Sequence, residues 1–302
     1  MSRRDALTDP VALPGRLIEI DGLTTHVLVE GSGPPVLLLA ALGSNWFDLD
    51  QLADELVGQF TVIRYDRPGY GASESLPRDR FPTLRGEIDR MAAVLDSAGV
   101  TDPVLIAAHS LSSLYAEAFA RDRPERTAAV MMIDGTFVMV PWRVLPTALR
   151  VRNCHRAVRV VDALRLPQLM GPMVHDSVLP TPPGGFTAVQ QFWTRAVFTT
   201  TTMLRATLVE NAAFPSVNAD LVALRRERPA VDAAVTVVAA LAEAGGWRRF
   251  WRWRQERFAE MLGGVFEEIS PANHFVVTQH PAAMGLMITR LARRAGLLDA
   301  DS

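Results

Sequence analysis

The chain has 302 residues, and few of its polar side chains stand where local structure would aim them at a reacting molecule. Ser110 is the foremost. The apolar run Val104–Ala107 reads as a strand, and Leu111–Arg121 has helical spacing. Between and around them stands Ala108-His109-Ser110-Leu111-Ser112. A chain that passes from strand to helix in so little space strains the backbone at Ser110, so the residues two positions away must be small. Ala108 and Ser112 meet that condition. The same turn puts Ser110 at a helix N-terminus, where backbone N–H groups can face a developing anion. This is the setting of a nucleophilic hydroxyl. A hydroxyl is a poor nucleophile at neutral pH. It needs a base within hydrogen-bond reach, and the base needs a carboxylate to orient it and stabilise its charge.

The elements that must position these groups are legible as alternating runs. Strands are expected at 17–20, 25–29, 36–39, 61–64, 104–107 and 129–133, with helices at 47–57, 84–98 and 111–121. Asp21-Gly22 joins the first two strands as a hairpin turn. Strand and helix then alternate, which implies a mostly parallel sheet with helices on both faces. From about Phe137 to about Asn218 the rhythm breaks. This stretch holds eight prolines, reads as mostly helical, and carries a loop at Thr181–Gly185. The alternation resumes with a strand at 233–241, a helix at 247–262, a strand at 265–269 and a final helix at about 282–295.

Four segments, each expected at a strand end, carry a resemblance. They are Ala108–Ser112; Leu39-Ala40-Ala41-Leu42-Gly43-Ser44; Tyr65-Asp66-Arg67-Pro68-Gly69-Tyr70-Gly71-Ala72-Ser73; and Ala272-Asn273-His274-Phe275 followed by Gln279-His280-Pro281. In that order they resemble the α/β-hydrolase fold superfamily over nearly the whole chain. The resemblance implies an α/β fold with a mostly parallel eight-stranded sheet flanked by helices and a helical cap inserted after the sixth strand. The core domain would be residues 1–136 and 219–302, and the cap 137–218. Departures from the family pattern are plain: Ala108 and Ser112 replace glycines, and Ala40 and Ala41 replace a His-Gly pair.

The resemblance also implies roles. Ser110 is the nucleophile and His274 the base; His280 is a rival, while His109 is common at its position without acting as base. The acid is less regular. The family usually carries it after the seventh strand, where this chain offers Glu243. A minority carries it after the sixth, where Asp134 stands. Asp134 is favoured and Glu243 is the alternative. The oxyanion hole would be the backbone amides of Leu42 and Leu111, which act through N–H groups whatever their side chains. Relatives that open epoxides or remove halogens use an aspartate nucleophile, which Ser110 is not.

Composition narrows the partners. The formal net charge is −2 and the pI about 6.3, which offers no basic excess for nucleic acid. Cys154 is the only cysteine, so no internal disulfide can form; it reads as a packed side chain. Neither a metal nor a cofactor is implied. Arg3 and Arg4 are followed by no apolar run, and no stretch spans a membrane, so a cytoplasmic protein is expected.

The expected cap is rich in Phe, Met, Trp and Leu, which suggests an apolar pocket and an apolar small-molecule substrate. Arginines at 143, 150, 152, 156 and 159 read as a solvated helix face. The run Trp247–Arg254 reads as the helix after the seventh strand, with Phe250, Trp251 and Phe258 turned inward rather than toward a membrane surface. The expected activity is hydrolysis of an ester, lactone or thioester through an acyl-enzyme. C–C bond hydrolysis, acyl transfer and perhydrolysis stay open. So does a catalytically silent ligand-binding protein, which the altered oxyanion loop and irregular acid would suit. The sequence does not define an oligomeric state.

Overall fold

The computed structural model describes residues 11–138 and 145–299. Arg3, Arg4, Met139, Val140, Trp142 and Arg143 lie outside the described residues.

The strands are β1 (Arg16–Ile20), β2 (Leu23–Gly31), β3 (Pro35–Leu39), β4 (Thr61–Tyr65), β5 (Val104–His109), β6 (Thr127–Ile133), β7 (Ala234–Ala240) and β8 (Val265–Ile269). They form one sheet in the order β1-β2-β4-β3-β5-β6-β7-β8. β1 and β2 pair antiparallel through the Asp21-Gly22 turn, and β2 pairs antiparallel with β4. Every later pairing is parallel. The eight expected strands all form, five of them longer by one or two residues and β2 by four, while β7 is two residues shorter.

Side chains alternate faces along a strand, and this sheet is covered on both. Leu37, Leu39, Ile63, Val104, Ile106, Ala108, Val130 and Met132 face one apolar cluster. Val36, Leu38, Val62, Leu105, Ala107, Ala129, Met131 and Ile133 face the other. The first is closed by α2 (Leu84–Ser97), α3 (Ser113–Asp122) and α8 (Gly246–Leu262). The second is closed by α1 (Asp50–Leu56) and α10 (Pro281–Arg294). Continuously apolar strands are the direct consequence of this two-sided burial.

Between β6 and β7 lie α4 (Thr147–Ala163), α5 (Leu166–Val178), α6 (Ala188–Phe198) and α7 (Thr201–Glu227). Thr181–Gly185 lies in the loop between α5 and α6. Pro172 and Pro215 lie inside helices rather than ending them. The helix α7 has two environments. Met203 packs with Trp46 and Val197, whereas Val217 and Leu221 belong to the main core beside α3. Residue 218, where the cap was expected to end, is inside this helix. The last helical piece is the short α9 (Val276–Gln279), which leads into α10. Among the described residues no helix is long and apolar enough to cross a membrane.

Candidate active site

The sheet order places β3 between β4 and β5, so the chain changes direction of travel there. Loops leaving the C-terminal ends of strands on either side of such a point diverge and open a crevice. Ser110 stands at that crevice. It follows β5 directly, begins a 3-10 turn over Ser110–Ser112, and has φ of +56°. For a residue with a Cβ this conformation costs on the order of 1–3 kcal/mol, and it persists only where the surroundings enforce it. They do so here. The Ser110 carbonyl accepts from Ser113 Oγ at 2.6 Å and from the Thr136 N–H at 3.1 Å. Ala108 and Ser112 are fully buried. Ser112 fits where glycine is usual because its hydroxyl is used: it donates to the Ala40 carbonyl at 2.5 Å and accepts from Arg67 at 3.0 Å.

His274 lies in the loop after β8, with Nε2 2.8 Å from Ser110 Oγ and Nδ1 2.5 Å from Asp134 Oδ2. The carboxylate accepts a hydrogen bond from Nδ1–H, which leaves the Nε2 lone pair facing the serine hydroxyl. Asp134 follows β6, is buried, and sits at φ of +45°. Its backbone N–H donates to the Val238 carbonyl at 2.7 Å. Its Oδ1 accepts from the Ala240 N–H at 3.0 Å and from Trp251 Nε1 at 2.5 Å. One carboxylate oxygen is thus fixed by two donors while the other faces the imidazole.

The remaining candidates are placed elsewhere. Glu243 is exposed between β7 and α8 and makes no hydrogen bond or ion pair with a described residue. His280 turns its Nε2 to the Pro271 carbonyl at 3.0 Å. His109 is buried beside His274, ring centroids 5.0 Å apart, and its Nε2 donates to the His274 carbonyl at 2.7 Å. Burial, and then the neighbouring imidazole, push its pKa down to about 3. His109 is therefore a neutral strut under the His274 backbone.

The amides of Leu42 and Leu111 hold matching positions. β3 and β5 pair in parallel with Leu39 opposite Ala108, and each leucine stands three residues beyond its partner in that register. Leu111 N–H is in the first turn of its helix and has no intrahelical acceptor. Its direction is set by the held Ser110 carbonyl, because the two groups share one planar peptide.

The segment 65–73 buttresses this edge. Asp66 accepts from the backbone N–H groups of Trp46 (3.1 Å) and Ala72 (3.1 Å) and meets His26 Nδ1 at 2.8 Å. Gly71, at φ of +47°, lies against that carboxylate; a Cβ there would sit 2.0 Å from Asp66 Oδ2, so no other residue fits. Arg67 and Tyr70 both reach Glu210 on α7. Nothing in the local sequence pattern around Glu210 marks it as the partner of residues 140 positions away.

A cavity of about 380 Å³ lies between the loop after β3, Phe275 and the inserted helices. Leu42 and Phe275 bring its wall to the crevice, and Leu166, Met170, Val174, Phe198, Met203 and Leu204 line it from α5, α6 and α7. His175 is one of its few polar side chains. Its Nε2 lies 2.9 Å from Asp48 and its Nδ1 3.0 Å from Asp176, so a doubly protonated ring satisfies both carboxylates. Burial alone would lower its pKa, but the two carboxylates outweigh that and raise it.

Two expectations need correction. Phe250 is 43% exposed and Trp253 53% exposed; only Phe258 of the expected inward set is fully buried on α8. Trp251 is half-buried with its indole N–H on Asp134 Oδ1 at 2.5 Å, and in this rotation of α8 Phe250 faces out. Phe137, assigned to the cap, stacks on Phe258 in the main core at 4.7 Å between centroids. The arginines at 152, 156 and 159 are exposed along α4, as a solvated face requires. Cys154 is half-buried, and burial raises its thiol pKa. Among the described residues no group of three or more His, Cys, Asp or Glu could hold a metal ion.

Comparison with known proteins agrees with this architecture. A soluble epoxide hydrolase from Corynebacterium sp. (strain C12) is 30% identical over 139 residues, 44% of this chain and 47% of that one. A cis-3-alkyl-4-alkyloxetan-2-one decarboxylase from Shewanella oneidensis is 28% identical over 131 residues, 43% of this chain and 41% of that one. The chain thus spans less than half the length of these curated relatives. A thermophilic esterase from Thermogutta terrifontis shares the fold with a TM-score of 0.68 and 19% identity, over 93% of this chain and 99% of that one. The profile of the Alpha/beta hydrolase family matches residues 31–284, and the chain belongs to that family.

Proposed function

We propose that this chain is a serine hydrolase that cleaves an ester, lactone or thioester of an apolar small molecule through an acyl-enzyme. The observation that carries the reading is the unbroken Ser110–His274–Asp134 hydrogen-bond chain, 2.8 and 2.5 Å long; Phe275, next to His274 in the chain, and Leu42 line an apolar cavity. In this reading His274 Nε2 takes the Ser110 proton as Oγ attacks the acyl carbon, and Asp134 stabilises the imidazolium. The oxyanion forms against the Leu42 and Leu111 amides. His274 returns the proton to the leaving group, and water then releases the acyl group by the same steps. The helices α4, α5, α6 and the first part of α7 act as a cap over a core that includes Phe137 and the end of α7, and the apolar part of the substrate occupies the cavity.

Elementary chemistry sets this apart from epoxide opening. Attack by Ser110 on an epoxide carbon would leave an ether, which has no carbonyl for water to attack. Attack on an acyl carbon leaves an ester, which the same machinery can cleave. A fluorophosphonate probe tests the reading, together with hydrolysis of p-nitrophenyl esters. Ser110 is expected to be labelled in the wild type, and Ser110→Ala to lose at least about 10⁴-fold in kcat with the fold retained. An unlabelled Ser110, with a control hydrolase labelled alongside, would favour the silent ligand-binding protein.

A further inference from the structure

Arg67 is a buried cation with every donor in use. Its Nε donates to Glu210 Oε1 at 2.8 Å. Nη1 donates to the Ala40 carbonyl at 2.7 Å and to Ser112 Oγ at 3.0 Å. Nη2 donates to the Ala41 carbonyl at 3.0 Å and to Glu210 Oε2 at 3.1 Å. A guanidinium has five N–H groups, and all five are satisfied. Glu210 is as fully used, since it also accepts from Tyr115 at 3.0 Å and from Tyr70. Arg67, Tyr70, Tyr115 and Glu210 are each at most 5% exposed.

Two of those acceptors are the carbonyls of the loop after β3. A carbonyl and the following N–H belong to one rigid plane and point in opposite directions across it. Holding the Ala41 carbonyl therefore sets the direction of the Leu42 N–H. The next peptide is held as well, because the Gly43 N–H donates to Tyr70 Oη at 3.4 Å. The side chains at 40 and 41 are alanine methyls and offer no polar support of their own.

We infer that Arg67 is a positioning residue that fixes the Ala41–Leu42 peptide so that its N–H faces the reacting carbonyl, with Glu210 of α7 holding Arg67 in place. The inference rests on the reading of Ser110 as an acyl-transfer nucleophile. It gives α7 a second role: besides walling the cavity, the helix supplies the anion that orients the oxyanion loop. Two tethers from the inserted helices converge here, since His175 also reaches Asp48, whose other oxygen accepts from Ser44 Oγ at 2.9 Å and the Asn45 N–H at 2.8 Å.

A test must separate positioning from stability, because removing one partner strands a buried charge. Replacing both with apolar residues of similar size is often neutral for a buried pair. The measurement compares wild type, R67K and the double variant R67M/E210M. It reads kcat and KM on p-nitrophenyl butyrate, Tm, and the rate of Ser110 labelling by a fluorophosphonate. The double variant is expected to fold with Tm lowered by about 5–15 °C, because the buried Tyr70 and Tyr115 hydroxyls lose their acceptor. Its kcat and labelling rate should fall about 10²-fold, as for loss of one oxyanion donor, with KM changed by less than about twofold. R67K keeps the charge but cannot hold both carbonyls and Glu210 with a three-donor ammonium, so its kcat should fall about tenfold. A double variant that folds and turns over at the wild-type rate overturns the inference. If the double variant does not fold, wild-type kcat in R67K overturns it instead. A wild type that neither hydrolyses the ester nor labels at Ser110 removes the underlying reading, and the inference falls with it.

Discussion

The C-terminal edge of the sheet and the inserted helices above it are built on opposite principles. At the edge, several key polar groups carry multiple hydrogen bonds. Asp134 has three donors on its carboxylate, the Ser110 carbonyl has two, and Arg67 spends all five of its N–H groups. In the inserted helices the surface turned to the same crevice is chiefly Leu, Met, Val and Phe. The difference reflects what each region must supply. Bond chemistry needs atoms held to a few tenths of an ångström, which strand ends rooted in a doubly covered sheet can give. Selecting an apolar group needs only volume and greasy surface, which helices supply with looser tolerances.

The strongest challenge to this contrast is to remove the edge's polar order at one atom set. Asp134→Ala strips the carboxylate from His274 and leaves the Ala240 and Trp251 donors without their acceptor. Steady-state kinetics should show kcat reduced about 10³- to 10⁴-fold. Glu243→Ala, on an exposed side chain with no partner among the described residues, should stay within about twofold. The opposite ranking would move the acid to β7 and leave Asp134 a structural residue.

The same contrast explains what the sequence made legible. Strand-end residues announce themselves because the strand is a continuous apolar run and the turn after it has strict size limits. Ser110 is found that way, whereas His274 and Asp134 follow from the family resemblance; the structure brings the three together. Register sets Leu39 opposite Ala108, which starts the two loops carrying Leu42 and Leu111 from neighbouring strand ends. Residues that act across the inserted segment carry no such signal. Glu210 is one acid in a long helix with no clear apolar face, and its pairing with Arg67 spans 143 positions. His175 looks like a lone histidine, yet it bridges to Asp48 over 127 positions. Trp251 reads as core by helical spacing; its hydrogen bond to Asp134 depends on how α8 is rotated. Helix rotation and helix docking are tertiary outcomes, whereas strand alternation is written locally.

Two histidines let pH probe the two regions separately. His109, under the edge, has its pKa pushed down to about 3 by burial and the adjacent His274. The unfolded chain binds a proton there near pH 6.5, and the folded chain does not until far lower. The stability this contributes is complete above about pH 6.5 and is lost as pH falls toward the folded value. Between pH 6.5 and 5 the loss amounts to about 2 kcal/mol from this one group. His175, in the inserted helices, is shifted upward, so its contribution is present below the ordinary histidine value and fades as pH rises through the folded pKa. Denaturant titrations at pH 6.5 and pH 5 should therefore show His109→Gln losing about 2 kcal/mol less than wild type. Glutamine keeps a donor for the His274 carbonyl but does not titrate. An unchanged pH slope would mean that His109 is protonated in the folded protein after all.

The smallest effect tests the greasy side. Leu204 lines the cavity from α7, and Leu204→Trp would fill part of its roughly 380 Å³ without touching the polar edge. Each methylene of substrate denied a place in an apolar pocket forfeits about 0.8 kcal/mol. Two excluded methylenes therefore come to slightly more than a tenfold change. On a p-nitrophenyl ester series from acetate to decanoate, kcat/KM should fall about tenfold for the long chains and less than about twofold for acetate. That pattern would confine selection to the inserted helices and leave the chemistry with the sheet edge. A uniform fall across all chain lengths would mean that crowding at α7 is felt by the oxyanion loop. Because Glu210 lies on the same helix, such a result would shift the boundary between the two regions inward to Arg67.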